Sequence, residues 1–254
     1  MAAPPIAGLL FAIGGGGLAL LAIAAVYALA LLTVPGVALS TAANDARAAG
    51  TSLLREAMRG LRYVVTHRVL RGMAVSYTLY QASWGVLVIV VPLLILDQHD
   101  ERAAAPIVGA LWAAAGVAGG IGALAAGRLR VMHRERRVMA LGIGATALGA
   151  GVLGLVPMLP GVAIGLVLIG LASGPVDVAP LSLRQRTTDP AWLGRVLAIS
   201  IGLNTAGGPL GSALGGVLGG LSLEVAIAGA VLLALAGAAA ALLAIPASRP
   251  QREA

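Results

Sequence analysis

Runs of about 20 apolar residues recur along the whole chain. A bilayer core about 30 Å thick needs helices of that length. Inside it each helix pairs its own backbone N–H and C=O groups, which no water is there to satisfy. The apolar stretches cover 3–39, 69–96, 103–127, 138–156, 162–183, 196–218 and 225–245. They predict an all-α, polytopic membrane bundle. Only 11% of the 254 residues are charged, against about 25% in a soluble domain. The 36 glycines agree with this reading, because small residues let membrane helices approach closely. Cysteine is absent, which excludes a disulfide framework, a thiol nucleophile and a thiolate metal site.

The segments between the stretches alternate in charge. Arg47, Arg55, Arg59, Arg62, Arg68 and Arg71 precede the second stretch, and Arg128, Arg130, Arg134, Arg136 and Arg137 follow the third. Arg184, Arg186 and Arg195 follow the fifth, and Arg249 and Arg252 end the chain. The intervening links "DQHDER", "PMLPG" and "GGLSLE" hold only Arg102. Arginine-rich loops stay in the cytoplasm. The expected topology is therefore three hairpins of two spans each in the cell membrane, after a basic cytoplasmic loop, with the C-terminus inside. The net charge of +7 is a matter of this placement and does not point to nucleic acid. That every basic side chain apart from histidine is Arg reads as coding bias.

The first stretch is too long for one span and too short for two with a loop. It is one long tilted helix, or half a span over 3–13 followed by a full one over 18–39, broken at "AIGGGG". Internal repetition favours the second form. "PPIAGLLFAIGGGGLALLAIAAVYALALLTVP" and "GPLGSALGGVLGGLSLEVAIAGAVLLALAGAAAALLAIP" each run from proline through glycines and an apolar span to proline. Transporters built from two related halves show such symmetry. The chain would then be one half plus the tail of another, with Met1 inside a helix.

"LREAMRGLRYVVTHRVLRGM", 54–73, resembles the central cytoplasmic helix of the major facilitator superfamily. "DPAWLGRVLAISIGLNTAGGPLGSALGG", 189–216, resembles the passage from the tenth to the eleventh helix in the branch of the enterobactin exporter and its drug-efflux relatives. "GRLRVMHRERR", 127–137, sits where the second copy of the superfamily's loop motif belongs. Gly127, Arg128, Arg136 and Arg137 would be its gating positions, but Val131 stands where the motif has aspartate, so this copy is degraded. The resemblance implies half of a twelve-helix fold. Residues 1–40 would end the N-terminal half, 41–68 form the central basic loop with an amphipathic helix, 69–246 the C-terminal six-helix bundle, and 247–254 a cytoplasmic tail. It also implies proton-coupled efflux of small amphipathic molecules, drugs or siderophores, by rocker-switch alternating access. The missing half, or a second copy, would be needed for transport. The alternative is a non-transporting half-transporter with a structural or interaction role in the membrane.

Within the spans, polar residues are few and informative. Tyr77, Tyr80, Gln81 and Trp84 fall at i, i+3, i+4 and i+7, one helical face near mid-span. They form either a cavity surface for an amphipathic substrate or an interhelical packing face. Gly207, Gly211, Gly215 and Gly219 recur every fourth residue and predict close helix packing. Asn204 lines the cavity or makes an interhelical hydrogen bond, and Trp112 reads as an interface anchor. The basic segment 55–71 would lie on the inner surface, its charges toward anionic headgroups.

Asp177, in "GLASGPVDVAPLSLRQR", is the most unusual residue. Seven residues separate it from Arg184, which on a helix is about 10 Å of depth. Pro175 and Pro180 bracket it and free backbone carbonyls, tolerated at depth where the backbone lines a cavity or meets protein. Such a carboxylate can bind and release a proton as the cavity changes sides, or meet a cationic substrate. Otherwise it pairs with Arg184 or Arg195. Enzyme chemistry is not expected, since Asp177 has no second intramembrane aspartate and His67, His99 and His133 all fall in or beside loops. No zinc spacing, phosphate-cradling loop or cofactor motif is present.

The topology predicts that Asp100→Cys in this cysteine-free chain reacts with an impermeant thiol reagent in intact cells. His133→Cys reacts only after permeabilisation. The reverse pattern would invert the bundle.

Overall fold

The computed structural model describes residues 17–18, 20–29, 53–128 and 134–246. The helices among these residues are α1 (Leu20–Leu29), α2 (Leu53–Thr66), α3 (Arg68–Gln98), α4 (Glu101–Arg128), α5 (Glu135–Leu155), α6 (Leu159–Thr187), α7 (Pro190–Gly219) and α8 (Leu223–Ala244). No strand occurs among the described residues. The half-span expected at 3–13, residues 41–52 of the central loop, residues 129–133 of the loop motif and the tail 247–254 lie outside them.

Local chemistry marks the ends. Pro160 opens α6 within its first turn, where a missing N–H costs nothing. Ser222 caps α8 by accepting from the Val225 N–H at 3.2 Å. Glu101 in the first turn of α4 and Arg128 in its last both complement the helix dipole.

Five helices, α3, α4, α5, α6 and α8, are long and apolar enough to cross a membrane. The expected sixth, α7, has 30 residues, but glycines, Asn204, Thr205 and Pro209 dilute its apolarity. It nonetheless runs parallel to α3: a Cβ on Gly207 would meet Thr78, one on Gly211 Ala82, one on Gly215 Val86 and one on Gly219 Leu93. Over this length α7 therefore accompanies a spanning helix.

Helix α3 packs against α7 and α8, α6 against α4 and α5, and α5 against α8. Glycine makes the approaches possible. Beyond the α3–α7 seam, Gly170 faces the Ala115 carbonyl, Gly174 the Ala123 N–H, and Gly122 the Leu171 carbonyl. That last carbonyl is the one Pro175 leaves without its helical donor. Helix α6 continues unbroken through both prolines, and the backbone of α4 covers the freed oxygen. Serine hydroxyls add bonds across the seams. Ser76 and Ser83 donate to the Gly237 and Ala230 carbonyls of α8, each at 2.8 Å, and Ser212 donates to the Gly85 carbonyl at 3.1 Å. An apolar core gathers Val86, Val90 and Leu94 of α3 with Leu153 of α5, Leu166 and Ile169 of α6, and Ala230 of α8.

The amphipathic helix α2 keeps Arg55, Arg59 and Arg62 exposed. Its other face docks on the start of α7. Val64 is buried with Val196, and the Tyr63 ring stacks on Trp192 with centroids 5.5 Å apart. The Arg195 guanidinium lies over the same Trp192 ring, 5.3 Å from its centroid.

The geometry of the α3–α7 seam predicts that Gly211→Leu, which drives a side chain into the Ala82 backbone, lowers the melting temperature in detergent by about 5–10 °C. Gly216→Leu, with open space around its Cβ, leaves it unchanged. Equal behaviour of the two variants would contradict this packing.

Candidate functional site

Next to the apolar core, against which Trp84 and Trp112 pack, α3 turns its four-residue polar and aromatic face toward α4 and α6. Tyr77, Tyr80, Gln81 and Trp84 of α3, Trp112, Ala115 and Gly116 of α4, and Ser173 and Asp177 of α6 line a cavity of about 350 Å³. The Tyr77 hydroxyl donates to Asp177 Oδ1 at 2.6 Å, the short distance of a phenol bonded to a carboxylate. Aromatic rings continue from that bond along the wall. Tyr77 meets Tyr80 edge-on at 5.4 Å, Tyr80 meets Trp84 edge-on at 6.4 Å, and Trp84 meets Trp112 at 5.7 Å. Tyr80 is buried, while Tyr77, Gln81 and Trp84 are half-buried at the cavity surface.

The α3 face is where it is because of its neighbours. Residues next in sequence to two of the aromatics, Ser76 beside Tyr77 and Ser83 and Gly85 beside Trp84, are spent on α8 and α7. The bulky side chains therefore point to the remaining side, where α4 and α6 are joined closely to each other through glycine. Large residues on one wall and small ones on the other leave the space between.

The other candidate residues lie elsewhere. Asn204 does not line this cavity. Its amide, oriented to satisfy both neighbours, donates to the Ser200 carbonyl at 3.2 Å and accepts from Arg184 Nη2. Of the two alternatives in the sequence, this is the interhelical bond. Arg184 is thereby engaged by Asn204, and Asp177 accepts from Tyr77. Trp112 corrects the sequence reading: it is a cavity wall stacked on Trp84, not an interface anchor. Gly207, Gly211 and Gly215 sit against α3. Of the loop-motif positions, Gly127, Arg128 and Arg137 are exposed, and Arg136 donates to the Ile245 carbonyl at 3.3 Å.

Sequence reasoning passed over Glu135. It is fully buried, 3.0 Å from Arg186 Nη1, and ties α5 to α6. A signal existed, since Glu135 is the sole acid between Glu101 and Asp177. Among the described residues no cluster of three or more His, Asp or Glu side chains could hold a metal ion.

Helices long and apolar enough to span a membrane, packed around a cavity with one carboxylate in its lining, define a multi-pass membrane bundle. The family comparison agrees. The model of the Major Facilitator Superfamily matches residues 1–200 and 73–254, and the chain belongs to that superfamily. It is 48% identical over 168 residues to the uncharacterized MFS-type transporter y4rN of Sinorhizobium fredii, covering 66% of this chain and 42% of that protein. It is 31% identical over 176 residues to the enterobactin exporter EntS of Citrobacter koseri, covering 69% of this chain and 41% of the exporter. The Escherichia coli exporter of the same name is 30% identical over 177 residues, 70% of this chain and 42% of the exporter. The matched part of the chain thus spans less than half the length of these relatives. No solved structure matches the chain. Superfamily members are generally small-molecule carriers and not enzymes.

Proposed function

We propose that the chain supplies one wall of the substrate cavity in a proton-coupled exporter of small amphipathic molecules, with Asp177 as the group that exchanges the proton. The observation that carries this reading is the Tyr77–Asp177 bond inside the cavity. Helices α3 and α6 each make their main contacts with other partners, α3 with α7 and α8, α6 with α4 and α5. The bond therefore joins two helices whose main packing is elsewhere. A carboxylate is a strong acceptor for the phenol, and a protonated acid is a weaker one. Protonation of Asp177 would loosen the bridge, and deprotonation would tighten it. That links proton occupancy to the width of the cavity, which alternating access requires.

The direction of transport follows the two relatives named as exporters. The orientation follows the arginine distribution, with the basic loops and the C-terminus in the cytoplasm and the bundle in the cell membrane. Aromatic faces, the Gln81 amide and the Ser173 hydroxyl suit a substrate with both apolar and polar parts.

In a protein that carries both halves of the transporter, Asp177→Asn should keep normal expression and reduce transport driven by an imposed pH gradient to background. Tyr77→Phe should retain part of it. Unchanged pH-driven transport by the Asp177→Asn protein would refute the assignment.

A further inference from the structure

We infer that the cavity selects lipophilic organic cations over anions of the same size and shape, a refinement that rests on the substrate-cavity reading above. The chain is poor in aromatics, with 3 Trp, 4 Tyr and 1 Phe in all. Four of these eight, Tyr77, Tyr80, Trp84 and Trp112, stand together on the cavity wall. Their rings are tilted or edge-on to one another, so they present faces in several directions, as an aromatic cage does. The negative face of an aromatic ring attracts a cation, most strongly where water is excluded. Asp177 stands at one end of the same row of rings and is the sole acidic group among the lining residues.

No Arg, Lys or His occurs among the described lining residues. The nearest buried arginine on α6, Arg184, lies two turns beyond Asp177 and is engaged by Asn204. An anion entering this wall would meet a carboxylate and ring faces, both repulsive, and no lining group of opposite charge offsets its desolvation; Arg184, whose charge reaches Tyr77, stands outside the lining. A hydrated small cation would gain little from the rings. A delocalised or alkylated cation, already weakly hydrated, gains from both the carboxylate and the rings. A space of about 350 Å³ accepts a molecule of several rings or substituents.

The chain carries its own reporter. Two of its three tryptophans line the cavity, and Trp192 lies apart against Tyr63. The test uses Trp192→Phe protein in nanodiscs of zwitterionic lipid, titrated with tetraphenylphosphonium and, separately, with tetraphenylborate. The two probes share size and shape and differ in the sign of their charge. The inference expects saturable quenching of Trp84 and Trp112 by the phosphonium and none by the borate. Asp177→Asn should weaken phosphonium binding by about tenfold or more, and Asp177→Glu should keep it within a few-fold. Saturable binding of the borate as tight as that of the phosphonium, or indifference to Asp177→Asn, would overturn the charge preference and leave the amphipathic cavity standing. Saturable binding of neither probe would remove both the preference and the cavity reading beneath it. Should Asp177→Asn fail to fold, the contrast between the two probes on the parent protein and the Asp177→Glu result still decide the matter.

Discussion

No hydrophobic force draws two helices together inside lipid, so the bundle depends on how closely their backbones can approach. Glycine sets that distance at every major seam. Gly207 and Gly211 let α7 lie against Thr78 and Ala82, while Gly122, Gly170 and Gly174 let α4 and α6 touch backbone to backbone. The same contact covers the Leu171 carbonyl that Pro175 leaves without a donor. A proline beside the carboxylate can be kept in an unbroken helix because the neighbouring helix is near enough to shield the exposed oxygen.

Close approach on some faces creates distance on others. With Ser76 and Ser83 bonded to α8, and Gly85 pressed to α7, the large rings of α3 are left to face α4 and α6. Those helices present Ala115, Gly116 and Ser173 in return. The resulting gap is bridged by the bond from Tyr77 to Asp177. Charges nearer the helix ends are used differently. Arg184 meets Asn204 and Glu135 meets Arg186, so these buried ionic groups tie neighbouring helices and leave the cavity to one carboxylate.

The fold was largely legible because membrane spans are written locally, in run length, breaks and arginine placement. The α3 face was legible for the same reason, since spacing along one helix places Tyr77, Tyr80, Gln81 and Trp84 together without knowledge of any partner. Asp177 stood out by hydrophobicity alone. What spacing cannot supply is which helix lies opposite. Trp112 looked like an interface anchor because its depth is visible in the sequence and its contact with Trp84 is not. Asn204 allowed two readings until the position of Arg184 was known. Glu135 was hidden by a surrounding run of arginines, which suggested a solvated loop where the chain buries an ion pair. The span α7 was legible by length, yet its apolarity is diluted by the glycines and polar residues that make it a good neighbour for α3.

The account turns on Ser173 and Asp177 facing a water-filled cavity and not lipid or a dry seam. A thiol reacts as thiolate, which requires water. Ser173→Cys, nearly isosteric and inside the cavity, should react with a small charged methanethiosulfonate in the membrane-embedded protein. Leu148→Cys, on the exposed outer face of α5 at 63% exposure, should not. Reaction at position 173 with silence at 148 is the result this structure predicts; silence at 173, or equal reaction at both, would contradict it.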